Sequence, residues 1–145
     1  MSVGKEKINV LSLFDGISCG RIALEKAGIE VENYFASEID KHAIKVTQTN
    51  YPNTKQLGSV IDIKSKDLPK IDLLIGGSPC QGFSIAGKKL NFDDDRSKLF
   101  FEFVRLKNKL NPKYFLLENV RMTDDIADAI DELLGVKRIF IDSRN

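Results

Sequence analysis

Two side chains in this sequence have the type and setting to attack and protonate a ring: the thiol of Cys80 and the carboxyl of Glu118. Cys80 lies in Gly76-Gly77-Ser78-Pro79-Cys80-Gln81-Gly82-Phe83-Ser84, directly after the apolar run Ile71-Asp72-Leu73-Leu74-Ile75. The glycines break that run, and Pro79 fixes the backbone just ahead of the thiol. A free Cys is ordinarily a small buried hydrophobe. Gly, Ser, Pro and Gln are poor core material, so nucleophile and core residue both stand as readings of Cys80. Glu118 closes a second apolar run, Tyr114-Phe115-Leu116-Leu117, and leads into Asn119-Val120. A thiol and a carboxylic acid with no histidine between them suit addition to an electrophilic ring, the acid serving a ring nitrogen. They do not suit acyl transfer, where a His normally activates the thiol.

Three further groups fall at the ends of apolar runs. Asp15-Gly16-Ile17-Ser18-Cys19-Gly20 follows Asn9 to Phe14 and precedes Ile22, Ala23, Leu24 and Ala27 at helical spacing, up to Gly28. Strand, glycine turn and helix open a nucleotide-type unit, although the Gly-x-x-x-Gly spacing matches neither the dinucleotide fingerprint nor a P-loop. Tight packing alone is the alternative reading of this turn. Tyr34-Phe35-Ala36-Ser37 reads as the next strand and ends in Glu38, about 20 residues past the glycine turn, where an acid is placed to accept ribose hydroxyls. Capping of a helix that starts near Asp40 is the competing role, and the strand-turn-helix-strand-acid order favours ribose. Gln56 to Ile63 reads as a third strand ending at Asp62, a carboxylate placed either for an adenine amino group or for a turn.

These groups need elements to hold them. Ala43 to Thr49 predicts a short helix, and Leu99, Phe103, Leu106 and Leu110 mark one face of another that ends before Pro112. Gln81 to Asp95 is aperiodic, and a long loop beginning at a candidate nucleophile reads as a moving lid. Thr123 is placed to cap a helix carrying Ile126, Ala127, Ile130, Leu133 and Leu134, with Gly135 as its stop. Val136 to Ile141 reads as a final strand. Alternating strands and helices predict an α/β fold with a doubly wound, mostly parallel, Rossmann-like sheet, occupying residues 1–145 as a single domain.

Composition narrows the classes. Two cysteines, Cys19 and Cys80, form neither a disulfide framework nor a Cys-rich zinc site, and a single His42 removes most triad and multi-His metal sites. No metal is expected. The polar start, Met1 to Lys7, is no secretory signal, and no apolar run approaches the roughly 20 residues of a membrane span. A cytoplasmic, soluble protein is the expectation. A net charge of +1 does not itself point to nucleic acid. The basic residues from Lys88 to Lys113, including Arg105, read mostly as solvated helix faces.

Taken together, Phe14-Asp15-Gly16 with Gly20, Ser37-Glu38-Ile39-Asp40, Gly77-Ser78-Pro79-Cys80-Gln81-Gly82-Phe83-Ser84 and Glu118-Asn119-Val120 resemble the ordered motifs of the DNA cytosine-5 methyltransferases. The likeness is to bacterial and phage enzymes, with some similarity to the vertebrate de novo group around Phe14 to Ile17 and Leu99 to Phe103. It covers nearly the whole chain. It implies a methyltransferase fold that binds S-adenosylmethionine at Phe14, Asp15, Gly16, Ile17, Gly20, Glu38, Ile39, Asp62, Ile63, Pro79 and Leu99. It further implies double-stranded DNA as partner, a flipped cytosine, Cys80 as nucleophile, Glu118 on the ring, and Pro79 and Asn119 supporting them. Gln81, Ser84, Lys88, Lys89 and Arg96 are the implied DNA contacts, and restriction-modification is one setting for such an enzyme.

The sequence also departs from the family pattern. It contains no Gln-x-Arg-x-Arg segment, no target-recognition region and no returning C-terminal segment. The sheet is accordingly expected to be incomplete at its C-terminal edge, with Arg138 to Ile141 displaced, disordered or paired with another chain. Three readings follow: a cytosine-5 methyltransferase catalytic part, a non-catalytic subunit or half-enzyme that needs a second chain, and an unrelated Rossmann enzyme with a redox thiol. The absence of a second cysteine near Cys80 and of a pyrophosphate fingerprint speaks against the third.

Overall fold

The computed structural model describes residues 4–78, 85–86, 89–90, 95–142 and 144, with backbone alone for 85, 86, 89, 90 and 96. Strand β1 is Ile8–Leu13, followed by helix α1 (Cys19–Lys26), β2 (Val31–Ser37), α2 (Lys41–Asn50), β3 (Lys55–Gln56) and β4 (Leu73–Gly76). A two-residue hairpin follows, β5 (Ile85–Ala86) and β6 (Lys89–Leu90), then α3 (Asp95–Leu110), β7 (Tyr114–Leu117) and α4 (Asp124–Leu134). Five strands form one parallel sheet in the order β3-β2-β1-β4-β7. Chain order reverses between β1 and β4, and in open α/β sheets ligands bind at the carboxyl ends of the strands beside such a switch.

Strand alternation divides the apolar residues between two faces. On one, Leu11, Leu13, Phe35 and Leu74 pack under Phe100, Phe103 and Leu106 of α3 and Ile130 and Leu134 of α4. On the other, Val10, Tyr34 and Ala36 pack with Leu24 of α1 and with Leu73 and Ile75. Among the described residues this second face is uncovered where it reaches β7: Tyr114 and Leu116, in register with Leu73 and Ile75, are each 61% exposed.

The first, second, fourth and fifth sheet strands and all four helices lie where the sequence predicts them, within a few residues. Two strands differ. The run read as a third strand pairs with β2 only at Lys55–Gln56, and Val60–Asp62 is instead a 3₁₀ turn capped by the Ser59 hydroxyl. Val136 to Ile141 forms no strand. Its Arg138 turns back onto α4, donating to Asp128 at 2.7 Å and Asp131 at 2.9 Å, while Ile139, Phe140 and Ile141 stay exposed. The displaced arrangement is thus the one observed. The β5–β6 hairpin lies inside the stretch read as aperiodic, and strands of two residues are too short to leave a period in a sequence.

Candidate functional site

The turn after β1 carries three left-handed residues in five: Phe14 (φ 54°), Gly16 (φ 59°) and Ser18 (φ 65°). Gly16 adopts this without cost, whereas Phe14 and Ser18 carry strain of order 1 kcal/mol or more each. Hydrogen bonds hold them there. The Asp15 amide donates to Ser37 O at 3.1 Å, and the Gly16 amide to Glu38 Oε2 at 2.7 Å. The Asp15 carboxylate accepts from the Tyr34 hydroxyl at 2.8 Å and from the Ser18 hydroxyl. Burial, reinforced by the Asp15 charge, pushes the Tyr34 phenol well above its ordinary range. Gly20 is closely packed as well: a Cβ there would stand 2.6 Å from Ile75 Cδ1 and 3.4 Å from the Tyr34 hydroxyl oxygen.

Glu38 follows β2 and is half-buried. Its Oε1 accepts from the Ile39 and Asp40 amides at 2.8 and 2.9 Å, while Oε2 has, among the described residues, the Gly16 amide alone. A carboxylate oxygen has two lone pairs, so Oε2 keeps one for an incoming hydroxyl. The helix cap is Asp40, which accepts from His42 and Ala43 at 2.7 and 3.3 Å. Those two backbone bonds hold the Asp40 carboxyl below the usual carboxylate range.

Around this turn, large apolar side chains face solvent: Ile17 is 48% exposed, Ile39 75% and Ile61 65%. Each follows the carboxyl end of a different strand, an arrangement suited to flanking an apolar ring. Asp62 is exposed beside Ile61, whereas the Ile63 side chain belongs to the core. Ile61, which the sequence reading did not single out, is the apolar side chain of this turn that faces out. A shallow groove of about 260 Å³ runs between this turn and α3, lined by Ile61, Lys98, Leu99, Phe101 and Glu102. Leu99 thus meets Ile61 across one surface.

Arg105 stands in the sequence reading among charges taken mostly as solvated helix faces. Far from being a solvated charge, it donates to Ile63 O at 3.1 Å and Val60 O at 3.2 Å, and its Nε donates to Glu102 at 2.6 Å. It ties α3 to both ends of the turn that carries Asp62.

At the β4–β7 end, the Glu118 amide donates to Gly76 O at 2.8 Å, and the Glu118 carboxylate lies 3.6 Å from the point where a Gly77 Cβ would stand. Asn119 Nδ2, in the amide orientation that satisfies its neighbours, donates to Ser78 O and Glu118 O, both at 3.2 Å. Glu118 and Asn119 thus flank Gly77 and Ser78, the residues that lead into Pro79-Cys80. Gly76 is fixed by packing rather than by a turn, since a Cβ there would meet the Phe103 ring at 3.1 Å and Leu13 O at 3.2 Å. Pro79, Cys80, Gln81, Ser84 and Lys88 lie outside the described residues, as do the side chains of Lys89 and Arg96. Among the described residues, no cluster of His, Cys, Asp and Glu is suited to a metal, and no helix is long and apolar enough to cross a membrane.

Comparison with known proteins adds to this geometry. The family model for the C-5 cytosine-specific DNA methylases matches residues 8–127. The orphan methyltransferase M.Rho11sI of Bacillus phage rho11s is 45% identical over 117 residues, covering 79% of this chain and 23% of that protein. The type II methyltransferase M1.ScrFI of Lactococcus lactis subsp. cremoris is 46% identical over 115 residues, covering 79% of this chain and 29% of that one. The chain therefore spans about a quarter to a third of the length of these curated relatives. Among solved structures, the Dnmt2 methyltransferase of S. pombe superposes with a TM-score of 0.71 at 25% identity, covering 89% of this chain and 42% of that one. A DNMT2 mutant from Spodoptera frugiperda gives the same TM-score and identity over 41% of its length. The family model spans most of the sequence, residues 8–127, and so this chain belongs to the C-5 cytosine-specific DNA methylase family.

Proposed function

We propose that this chain carries the cofactor site and the catalytic residues of a DNA (cytosine-5-)-methyltransferase. The observation that carries the reading is the group at the strand ends: the Glu38 lone pair, the exposed Asp62, and Ile17, Ile39 and Ile61 facing solvent between them. These residues fit a nucleoside. Glu38 accepts the ribose hydroxyls, Asp62 accepts the adenine amino group, and Ile39 with Ile61 flanks the ring. Phe14, Asp15, Gly16, Ile17 and Gly20 form the floor, and Leu99 closes the groove side. When bound, S-adenosylmethionine supplies the methyl group that cytosine C5 takes.

The chain's own residues do the rest. Cytosine leaves the stack, since C6 is out of reach inside a duplex. The Cys80 thiolate forms an S–C6 bond, and the displaced ring electrons gather at C5. Glu118 hydrogen-bonds N3 and stabilises that electron shift. After C5 is methylated, loss of its proton to a base and cleavage of S–C6 restore the aromatic ring and the thiolate. Asn119 positions the Cys80 loop through its bond to Ser78 O. Gln81, Ser84, Lys88, Lys89 and Arg96 contact the DNA, the basic ones through phosphates.

The alternative is a half-enzyme completed by further polypeptide. It is favoured by the bare face at β7, where Tyr114, Leu116 and nearby Val120 (68% exposed) have no cover among the described residues. One experiment separates the two readings: transfer of labelled methyl from S-adenosylmethionine to mixed-sequence duplex DNA, with Cys80→Ala and Glu118→Gln as controls. Incorporation that both substitutions abolish supports an active chain. Incorporation indifferent to Cys80→Ala refutes the mechanism. No incorporation until a second polypeptide is added supports the half-enzyme.

A further inference from the structure

Helix α2 contains two threonines that behave differently. Thr49 is exposed and its hydroxyl donates to Lys45 O at 2.8 Å, the usual bond of a helical threonine to the preceding turn. Thr47 does not do this. It is fully buried, and its Oγ1 lies 2.9 Å from Ser18 Oγ, 29 residues away, and 3.5 Å from the Gly16 carbonyl oxygen. Counting protons fixes the direction. A carboxylate only accepts, so the single hydroxyl proton of Ser18 goes to Asp15, as does that of Tyr34. Thr47 is then left to donate, its one proton directed to Ser18 Oγ at 2.9 Å and, more weakly, to the Gly16 carbonyl oxygen at 3.5 Å. Thr47, Ser18, Asp15 and Tyr34 form one directed chain that ends on the Asp15 carboxylate. It also explains why Ser18, which precedes α1, makes no side-chain cap to that helix: its hydroxyl is already engaged.

We propose that Thr47 is a positioning residue for the cofactor: from α2 it holds Ser18 and Asp15 in the left-handed turn, so that Gly16 and Ile17 are presented to S-adenosylmethionine. The inference rests on the cofactor reading above. Thr47 touches no ligand. Its hydroxyl offsets part of the strain at Ser18, and the ligand would otherwise have to impose the turn at a cost in affinity.

The test compares the chain with Thr47→Val, which keeps the shape without the hydroxyl, and Thr47→Ser, which restores it. Calorimetric titration with S-adenosylhomocysteine is expected to show Thr47→Val binding about 2- to 12-fold more weakly, the range of one hydrogen bond, and Thr47→Ser returning to the parent value. Hydrogen exchange at the Gly16 and Ser18 amides is expected to quicken in Thr47→Val and recover in Thr47→Ser. A Thr47→Val protein that only melts earlier, with affinity and exchange unchanged, overturns the proposal. If the parent chain does not bind S-adenosylhomocysteine, the cofactor reading fails, while the exchange comparison still decides whether Thr47 holds the turn. Ser18→Ala removes the same link from its other end and stands in should Thr47→Val not fold.

Discussion

Arg105→Met should cost this protein stability and loosen the turn that carries Asp62. Methionine keeps most of the aliphatic stem along α3 but removes the donors to Ile63 O at 3.1 Å and Val60 O at 3.2 Å. Both carbonyls belong to buried residues. A hydrogen bond from a charged donor is worth about 1.5–3 kcal/mol when well shielded. The Arg105 side chain is 34% exposed, so about 1 kcal/mol for each carbonyl is the fitting figure. The lost pair with Glu102, three residues earlier on the same helix, adds only a few tenths. A total near 2 kcal/mol corresponds to a melting midpoint lower by about 4–8 °C for a chain of this size. Arg105→Lys should recover only part of this, since an ammonium lacks the fork that reaches two carbonyls. Chemical denaturation gives the stability, and hydrogen exchange at the Asp62 and Ile63 amides gives the local effect. An Arg105→Met protein with an unchanged midpoint and unchanged exchange would refute the claim that α3 holds the turn.

Two further outcomes follow from the packing and the titration. Gly76→Ala is expected to destabilise the chain by about 1–3 kcal/mol in urea denaturation, because the new Cβ meets the Phe103 ring and the unyielding Leu13 carbonyl. Tyr34 has a folded pKa raised above its ordinary 10.0, so its contribution to stability is complete below about pH 10 and is lost as pH rises towards the folded value. The stability difference between the chain and Tyr34→Phe should therefore be flat from pH 6 to 9 and shrink at higher pH; a difference that grows above pH 10 would contradict it.

How much of this was legible beforehand depended on how local the cause was. Tyr114–Leu117 reads directly, as an unbroken apolar run between Pro112 and Glu118. Glu38, Cys80 and Glu118 stood out because each follows such a run. The turn at Val60–Asp62 did not, since its apolar spacing imitates a strand and its shape is set by Ser59 and by Arg105, some 40 residues on. Val136 to Ile141 has strand-forming side chains, yet the acidic face of α4 captures Arg138 instead. The hydroxyl chain from Thr47 to Asp15 was invisible for a similar reason: a serine, a threonine and a tyrosine have no signature until the fold brings them together. Motif residues announce the chemistry, and the residues that hold them are found only in three dimensions.

The most direct test of the account is to locate the cofactor site in solution. Titrating S-adenosylhomocysteine into the isotope-labelled chain should shift the backbone resonances of Gly16, Ile17, Glu38, Ile39, Ile61 and Asp62 together, at the carboxyl edge of β1 and β2 and the turn after β3. The opposite end of the sheet, Lys107 to Phe115, should stay still. Shifts confined to that end, or no shifts at all at millimolar ligand, would contradict the site built here on Glu38.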